Sequence, residues 1–205
     1  MHIAVLAASG GTGLALTEEA LRRGHTVTAI ARTPSRIAVP DHPLLTRVSG
    51  DVNDPASIAT ALKGTDVVVS GLGNAKGGKP GALTAGARAL IAADAGRIVW
   101  LGAYGTGPSA QAAGFATRTL LKAMGAELAD KVAADAEVLA AGGTVFHAGP
   151  MSDGPVSTDR RTVGLDQAPK RVFPARVSRR TVAAAMLDEA EAPLRQGEIA
   201  LPLGH

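Results

Sequence analysis

A run of small residues, Ala7-Ala8-Ser9-Gly10-Gly11-Thr12-Gly13, constrains this chain more than any other feature, because of what flanks it. His2–Leu6 before it is a short apolar run. Leu14 to Arg23 after it reads as a helix that Gly24-His25 ends. Thr26–Ala31 is a second apolar run, closing on Arg32. The order is strand, glycine-rich turn, helix, strand. Small side chains let the backbone approach a diphosphate, and the first N–H groups of the helix point at the anion. The residue that ends the second strand faces the adenosine ribose in such a unit. A carboxylate there pairs with a free 2′-hydroxyl. This chain has Arg32, with Arg36 nearby, which suits a 2′-phosphate and hence NADP. The spacing asks for glycine at 7, 10 and 13, and position 7 is Ala. Either the turn has φ < 0 there or Ala7 is strained. The competing reading is another doubly wound fold whose turn merely happens to be glycine-rich.

Composition narrows the class. The 205 residues suffice for one domain with a full core. Aromatic residues make up only 2%, so that core is aliphatic. With no cysteine, disulfides, a thiolate nucleophile and a cysteine metal site are excluded. The five histidines, at 2, 25, 42, 147 and 205, lack the paired helical spacing of a metal site. No basic leader opens the chain and no apolar run is long enough to span a bilayer, so a cytoplasmic protein without a membrane partner is expected. Arginine and lysine gather late, at 160, 161, 170, 171, 176, 179 and 180. They are not interleaved with aromatics and match no nucleic-acid motif, so a solvated rim is expected instead.

Further along, strand and helix keep alternating. Leu44–Val48 reads as a third strand. Asp54-Pro55 opens a helix, with an N-cap carboxylate and proline at the first helical position. Asp66–Ser70 is a fourth strand, and Gly71-Leu72-Gly73-Asn74 turns the chain. Ala82 to Ala95 is helical and Arg97–Leu101 a fifth strand, followed by Gly102-Ala103-Tyr104-Gly105. A helical region from about Phe115 to Ala141 breaks near Gly125. Thr144–His147 is the sixth strand. The pattern predicts an α/β fold, a doubly wound parallel sheet in the order 3-2-1-4-5-6. After Pro150 the pattern changes. Pro155–Val163 and Arg171–Phe173 look extended, Ser178 caps a helix to about Glu189, and Glu198–Pro202 is a last strand. Residues 151–205 are read as a small substrate-side lobe of a single domain, 1–205.

Several of these motifs occur together in order: Ala8-Ser9-Gly10-Gly11-Thr12-Gly13, Arg32…Arg36, Gly50-Asp51-Val52, Asp135…Gly142, Gly149-Pro150…Asp153-Gly154 and Ser178-Arg179…Val182-Ala183. Over nearly its whole length the chain resembles the atypical short-chain dehydrogenase/reductases of the NAD(P)H-binding, NmrA-like branch. Within that branch the biliverdin-IX-beta reductase/flavin reductase group is the nearest likeness. The resemblance implies that Ser9, Gly10, Gly11, Thr12 and Gly13 hold the diphosphate, and that Arg32, Thr33 and Arg36 hold the 2′-phosphate. It puts Asp51 and Val52 beside the adenine, Leu72 and Gly73 along the ribose path, and Gly102, Ala103 and Tyr104 beside the nicotinamide. Pro150 and Met151 would close over it. Two family features are missing. The Tyr-x-x-x-Lys pair is replaced by Glu127-Leu128-Ala129-Asp130-Lys131. The Ser and His that flavin reductases carry after strands five and six read here as Gly102-Ala103 and Met151.

What remains for acid–base chemistry is sparse. Tyr104, the only tyrosine, is a candidate proton donor or a wall for a flat substrate. Ser152 is a candidate substrate ligand. His147 reads as a structural histidine, and Lys131 as a solvated lysine able to reach the ribose. No Ser-His-Asp arrangement is recognisable. A flavin or quinone acceptor takes its proton from water, so an NADPH-dependent reductase of a small planar acceptor is the expected function. An NADP-binding sensor without turnover and an epimerase or carbonyl reductase are the alternatives. With no dimer stripe in sight, a monomer or weak homodimer is expected.

Overall fold

The computed structural model describes residues 1–73, 80–114, 125–169 and 175–204. In chain order the strands are β1 (His2–Leu6), β2 (Thr26–Ala31), β3 (Leu45–Ser49), β4 (Val67–Ser70), β5 (Arg97–Ala103), β6 (Thr144–Ala148), β7 (Met151–Ser152), β8 (Arg161–Gly164), β9 (Val177–Ser178) and β10 (Ile199–Leu203). The α-helices are α1 (Gly11–Arg22), α2 (Pro55–Ala61), α3 (Ala82–Ala92), α4 (Ala126–Ala140) and α5 (Arg179–Glu191). The predicted order 3-2-1-4-5-6 is the order found, with every neighbouring pair parallel. The sheet then continues. β10 adds to β6 in parallel, and β8 pairs antiparallel with β10, making eight strands.

Why the sheet sits between two helical layers can be read along β1. Ile3 and Val5 belong to one apolar cluster, which holds residues of α1 and α5. Ala4 and Leu6 point the other way, into a cluster with α2, α3 and α4. Period-two alternation in a strand apolar on both faces needs a cover on each. Val67, Val68 and Val69 of β4 are wholly buried for the same reason.

Local chemistry sets the helix starts. Asp54 accepts from the Ser57 N–H at 3.3 Å with Pro55 following, and the Ser178 hydroxyl accepts from the Thr181 N–H at 3.0 Å. The buried carboxylate of Asp130, on α4, accepts from the N–H groups of Leu83 and Thr84 at 3.2 and 3.0 Å and from the Thr84 hydroxyl at 2.6 Å. It therefore caps α3 from a neighbouring helix. Burial alone would raise its pKa, but these hydrogen bonds favour the anion and the net direction is downward.

Several boundaries differ from the sequence expectation. α1 starts at Gly11 rather than Leu14, because the first helical turn is built from the glycine-rich run itself. β5 runs on to Ala103. Of the extended stretch expected from Pro155, only Arg161–Gly164 forms a strand, where Leu203 to Ala200 offer it a ladder. In the C-terminal segment β8 and β10 extend the main sheet, and α5 packs on α1. The remainder of the predicted helix before Gly125, the piece Arg171–Phe173 and Asn74 lie outside the described residues. Among the described residues no helix is long and apolar enough to cross a membrane.

Candidate functional site

The carboxyl ends of β1 to β6 lie along one edge of the sheet, where open α/β folds bind ligands. At β1 that edge is the glycine-rich turn. Ala7 has φ +59°, so the strained alternative is the one realised. Its carbonyl accepts from the Gly10 N–H at 3.0 Å, and Leu14 N–H donates to Gly10 O at 2.8 Å. Between them, the N–H groups of Gly11, Thr12 and Gly13 have no acceptor among the described residues, and no side chain caps α1. Gly13 cannot be larger: a Cβ there would stand 2.1 Å from the Ala7 carbonyl oxygen and 2.7 Å from Ala8 Cα. The turn is pressed against β4 as well, since a Cβ on Gly71 would meet Gly13 N at 2.9 Å. Gly10, with φ −83°, is instead exposed and open, its nearest contact an ordinary 3.4 Å. Its space is free for a ligand, and the cradle of unpaired N–H groups over an exposed surface fits a diphosphate. Ser9, Gly10 and Gly11 are exposed there, with Thr12 and Gly13 buried beneath.

At the end of β2, Arg32, Thr33 and Arg36 are all exposed. Neither arginine has a carboxylate partner among the described residues, so both guanidinium groups face solvent uncommitted. Asp51 is half-buried, its Oδ1 taken up by the Asn53 N–H at 2.9 Å and the Asn53 side chain at 3.0 Å. It organises the turn after β3. Val52 and Leu72 meet over Gly86, where a Cβ would come within 2.5 Å of Leu72 Cδ2 and 3.4 Å of Val52 Cγ1. They form one apolar wall behind the turn, and Gly73 beside them is exposed. Met151 reaches back across the site, its sulfur accepting from the Thr12 hydroxyl at 3.6 Å. Pro150 before it is exposed.

The ends of β5 and β6 are organised by a buried polar chain that the sequence did not disclose. His147 is 1% exposed. Its Nδ1 lies 2.7 Å from Ser109 Oγ and its Nε2 3.1 Å from Asp135 Oδ2. The other Asp135 oxygen accepts from Trp100 Nε1 at 3.1 Å. A serine, a histidine and an aspartate therefore do come together, contrary to expectation. They are not arranged as a nucleophile: Ser109 is fully buried, and its oxygen already accepts from the Gly105 N–H at 2.8 Å. Gly102 makes room for the chain, since a Cβ there would stand 2.6 Å from His147 Cδ2 and 2.9 Å from Asp135 Oδ2.

Tyr104, Gly149, Pro169, Ala175, Leu201 and Leu203 line a small, mostly apolar cleft of about 30 Å³, with His147 also in its lining. The Tyr104 hydroxyl donates to the Ala112 carbonyl at 2.7 Å, and burial pushes its pKa up. Both features hold the phenolic proton in place. Ala103, half-buried, precedes it. Ser152 pairs through its backbone strand with Ser178 and makes no side-chain hydrogen bond among the described residues. Lys131 is not the solvated lysine expected. Burial lowers its pKa against the opposing pull of Asp135 and Asp130.

Known proteins share this fold. A 3-beta-hydroxysteroid dehydrogenase from Mycolicibacterium neoaurum is 39% identical over 67 residues, which is 33% of this chain and only 18% of that enzyme. A candidate exported protein from Burkholderia pseudomallei superposes with a TM-score of 0.78 at 26% identity over 98% of both chains. A short-chain dehydrogenase/reductase from Veillonella parvula, solved with NADP, gives 0.80 at 18% identity over all of this chain and 94% of its own. A candidate NADH-flavin reductase from Streptococcus pneumoniae gives 0.77 at 20% identity over the full length of both. The family model described as NAD(P)H-binding matches residues 7–193, from the turn to the last helix. With that span matched, the chain belongs to the NAD(P)H-binding family.

Proposed function

We propose that this chain is an NADPH-dependent oxidoreductase that reduces a small planar acceptor such as a flavin or quinone. One observation carries the choice of acceptor. The cleft offers an aromatic wall and apolar lining, but among the described residues its two proton-bearing groups, Tyr104 and His147, are both committed. The Tyr104 hydroxyl is bonded to Ala112 O, and both nitrogens of His147 are bonded to Ser109 and Asp135. When bound, the nicotinamide supplies the hydride chemistry, and the protein's task is positioning and exclusion of water. Arg32, Thr33 and Arg36 would hold the 2′-phosphate, and residues 9–13 the diphosphate. Asp51 and Val52 would flank the adenine, Leu72 and Gly73 the ribose. Gly102 and Ala103 would form the nicotinamide floor, with Pro150 and Met151 above it. Tyr104 would be the wall against which a flat acceptor packs, and the free Ser152 hydroxyl would hydrogen-bond its rim. A ring system reduced in this way takes its proton from water.

The test follows NADPH oxidation with a panel of flavins, quinones and aldehydes. Flavins or quinones should turn over and aldehydes should not. Tyr104→Phe should change kcat less than twofold, and Tyr104→Ala should raise KM. A hundredfold fall in kcat for Tyr104→Phe, of the size general-acid loss produces, would make Tyr104 the acid and overturn the wall. Tight NADP binding with no turnover of any acceptor would favour the sensor reading, which the same shortage of free acids supports.

A further inference from the structure

Gly11 stands outside the spacing that calls for glycine at 7, 10 and 13, so something else must account for it. The structure gives the reason. A Cβ at position 11 would lie 3.0 Å from Arg179 Nε, 3.2 Å from Cδ and 3.7 Å from Cζ. The Arg179 side chain therefore rests on the backbone of the diphosphate-binding turn, from the far end of the sequence. Three contacts hold it there. β9 pairs with β7, placing Val177 opposite Met151 and Ser178 opposite Ser152. Met151 is anchored to Thr12. Ser178 caps the helix that Arg179 begins. The guanidinium meets one carboxylate: Nη1 donates to Asp153 Oδ1 at 2.6 Å, with Arg179 30% and Asp153 96% exposed. The first turn of α1 carries no acidic residue.

We propose that Arg179 is a charged ligand of the cofactor diphosphate, and that Asp153 holds its guanidinium until the diphosphate takes its place. The inference rests on the dinucleotide reading of the turn. A guanidinium binds phosphate through two parallel hydrogen bonds, and a diphosphate carries more charge than one carboxylate. The Asp153 contact is solvent-screened and so easily exchanged. Gly11 is then required for the arginine rather than for the turn itself, which links two positions 168 apart (179 less 11).

The test measures Kd by calorimetry for NADP and for adenosine 2′-monophosphate, which has the 2′-phosphate but no diphosphate. Arg179→Met should weaken NADP by about ten- to a hundredfold, the usual range for a charge-assisted contact, and leave adenosine 2′-monophosphate unchanged. Asp153→Asn should tighten NADP two- to fivefold. Gly11→Ala, which meets only the flexible end of the arginine, should weaken NADP in the wild-type background and add nothing to Arg179→Met. Wild-type thermal melts of all three variants would confirm that each is folded. Unchanged NADP affinity in Arg179→Met would overturn the inference and leave the cofactor reading standing. Equal losses for both ligands, or weaker binding in Asp153→Asn, would also overturn it. A wild-type protein that binds neither ligand would overturn both.

Discussion

The glycine-rich turn, residues 7–13, and the buried chain of Trp100, Ser109, Asp135 and His147 are two polar regions of one fold, built in opposite ways. The turn is made from consecutive residues and works almost wholly through its backbone: N–H groups left unpaired, one left-handed residue, one glycine pressed against a carbonyl. The buried chain comes from β5, the loop after it, α4 and β6; its links are side chain to side chain, and Ser109 ties it to the backbone of Gly105 and Thr106. The turn stays open to solvent and keeps donors for a ligand. The chain satisfies its own groups and keeps none. A binding surface must leave polar groups unpaired, whereas a core can hold them only when paired.

The sharpest way to break this comparison is to cut the buried chain. Asp135→Ala strips His147 Nε2 and Trp100 Nε1 of their acceptor at once. Two orphaned buried groups should cost roughly 2–5 kcal/mol in urea denaturation. Asp135→Asn should cost much less. Its amide oxygen can still serve Trp100, and its NH₂ can donate to Nε2 once the imidazole carries its proton on Nδ1, toward Ser109. Similar losses for the two variants would mean that charge, rather than hydrogen bonding, holds the chain together.

The turn should break differently at two of its glycines. Gly13→Ala drives a Cβ into the Ala7 carbonyl, backbone against backbone, and should destabilise the fold by about 3 kcal/mol. Gly10→Val has room in the free protein, so it should fold normally and lose NADPH binding, because its side chain fills the ligand's place. A folded Gly10→Val protein with normal NADPH affinity would move the cofactor elsewhere.

These contrasts explain what was legible in the sequence. The turn's chemistry is local, so adjacent residues announce it, and the strand order follows from the alternation of elements. The buried chain could not be read this way. Ser109 sits in Gly105-Thr106-Gly107-Pro108-Ser109, which looks like any loop, and Asp135 looks like a helix surface residue. Strand alternation does put His147 on the same face as Val145, toward α4, but names no partner. The one available signal was Gly102, since a glycine inside a strand marks a close approach. Arg179 was visible within a motif, but only the fold brings it to Gly11.

The next effect in size concerns the open end of the turn's site. Arg32→Ala should weaken NADPH by ten- to a hundredfold, or about 1.5–3 kcal/mol, and NADH little. Equal loss for both cofactors would show that Arg32 does not read the 2′-phosphate.

Asp130 lies between the two regimes, a buried side chain serving backbone N–H groups, and pH tests it. Its folded pKa is held below the ordinary carboxylate range of about 3.9. A depressed pKa means stability that is fully present above the unfolded value and is lost as pH falls through the folded one. Asp130→Asn should therefore cost about 1–2 kcal/mol near neutrality and flatten the decline in stability between about pH 5 and 2. An unaltered acid limb would remove Asp130 from it.

The smallest expected effect bears most directly on how the turn is built. Ala7 is held at φ +59°, where an L-residue with a Cβ is disfavoured and glycine is not. Ala7→Gly relieves that strain in the folded state, but it also frees the unfolded chain, which offsets part of the gain. The net should be a stabilisation of about 0.5–1 kcal/mol, read as a higher urea midpoint at unchanged slope. NADPH affinity should hold, because the Ala7 carbonyl still accepts from Gly10 and the unpaired N–H groups keep their direction. If Ala7→Gly is less stable, the methyl group contributes more through packing than its backbone costs. If the variant is more stable but binds NADPH poorly, the strained alanine is what holds the turn in its binding shape. The backbone of the turn would then depend on a side chain after all.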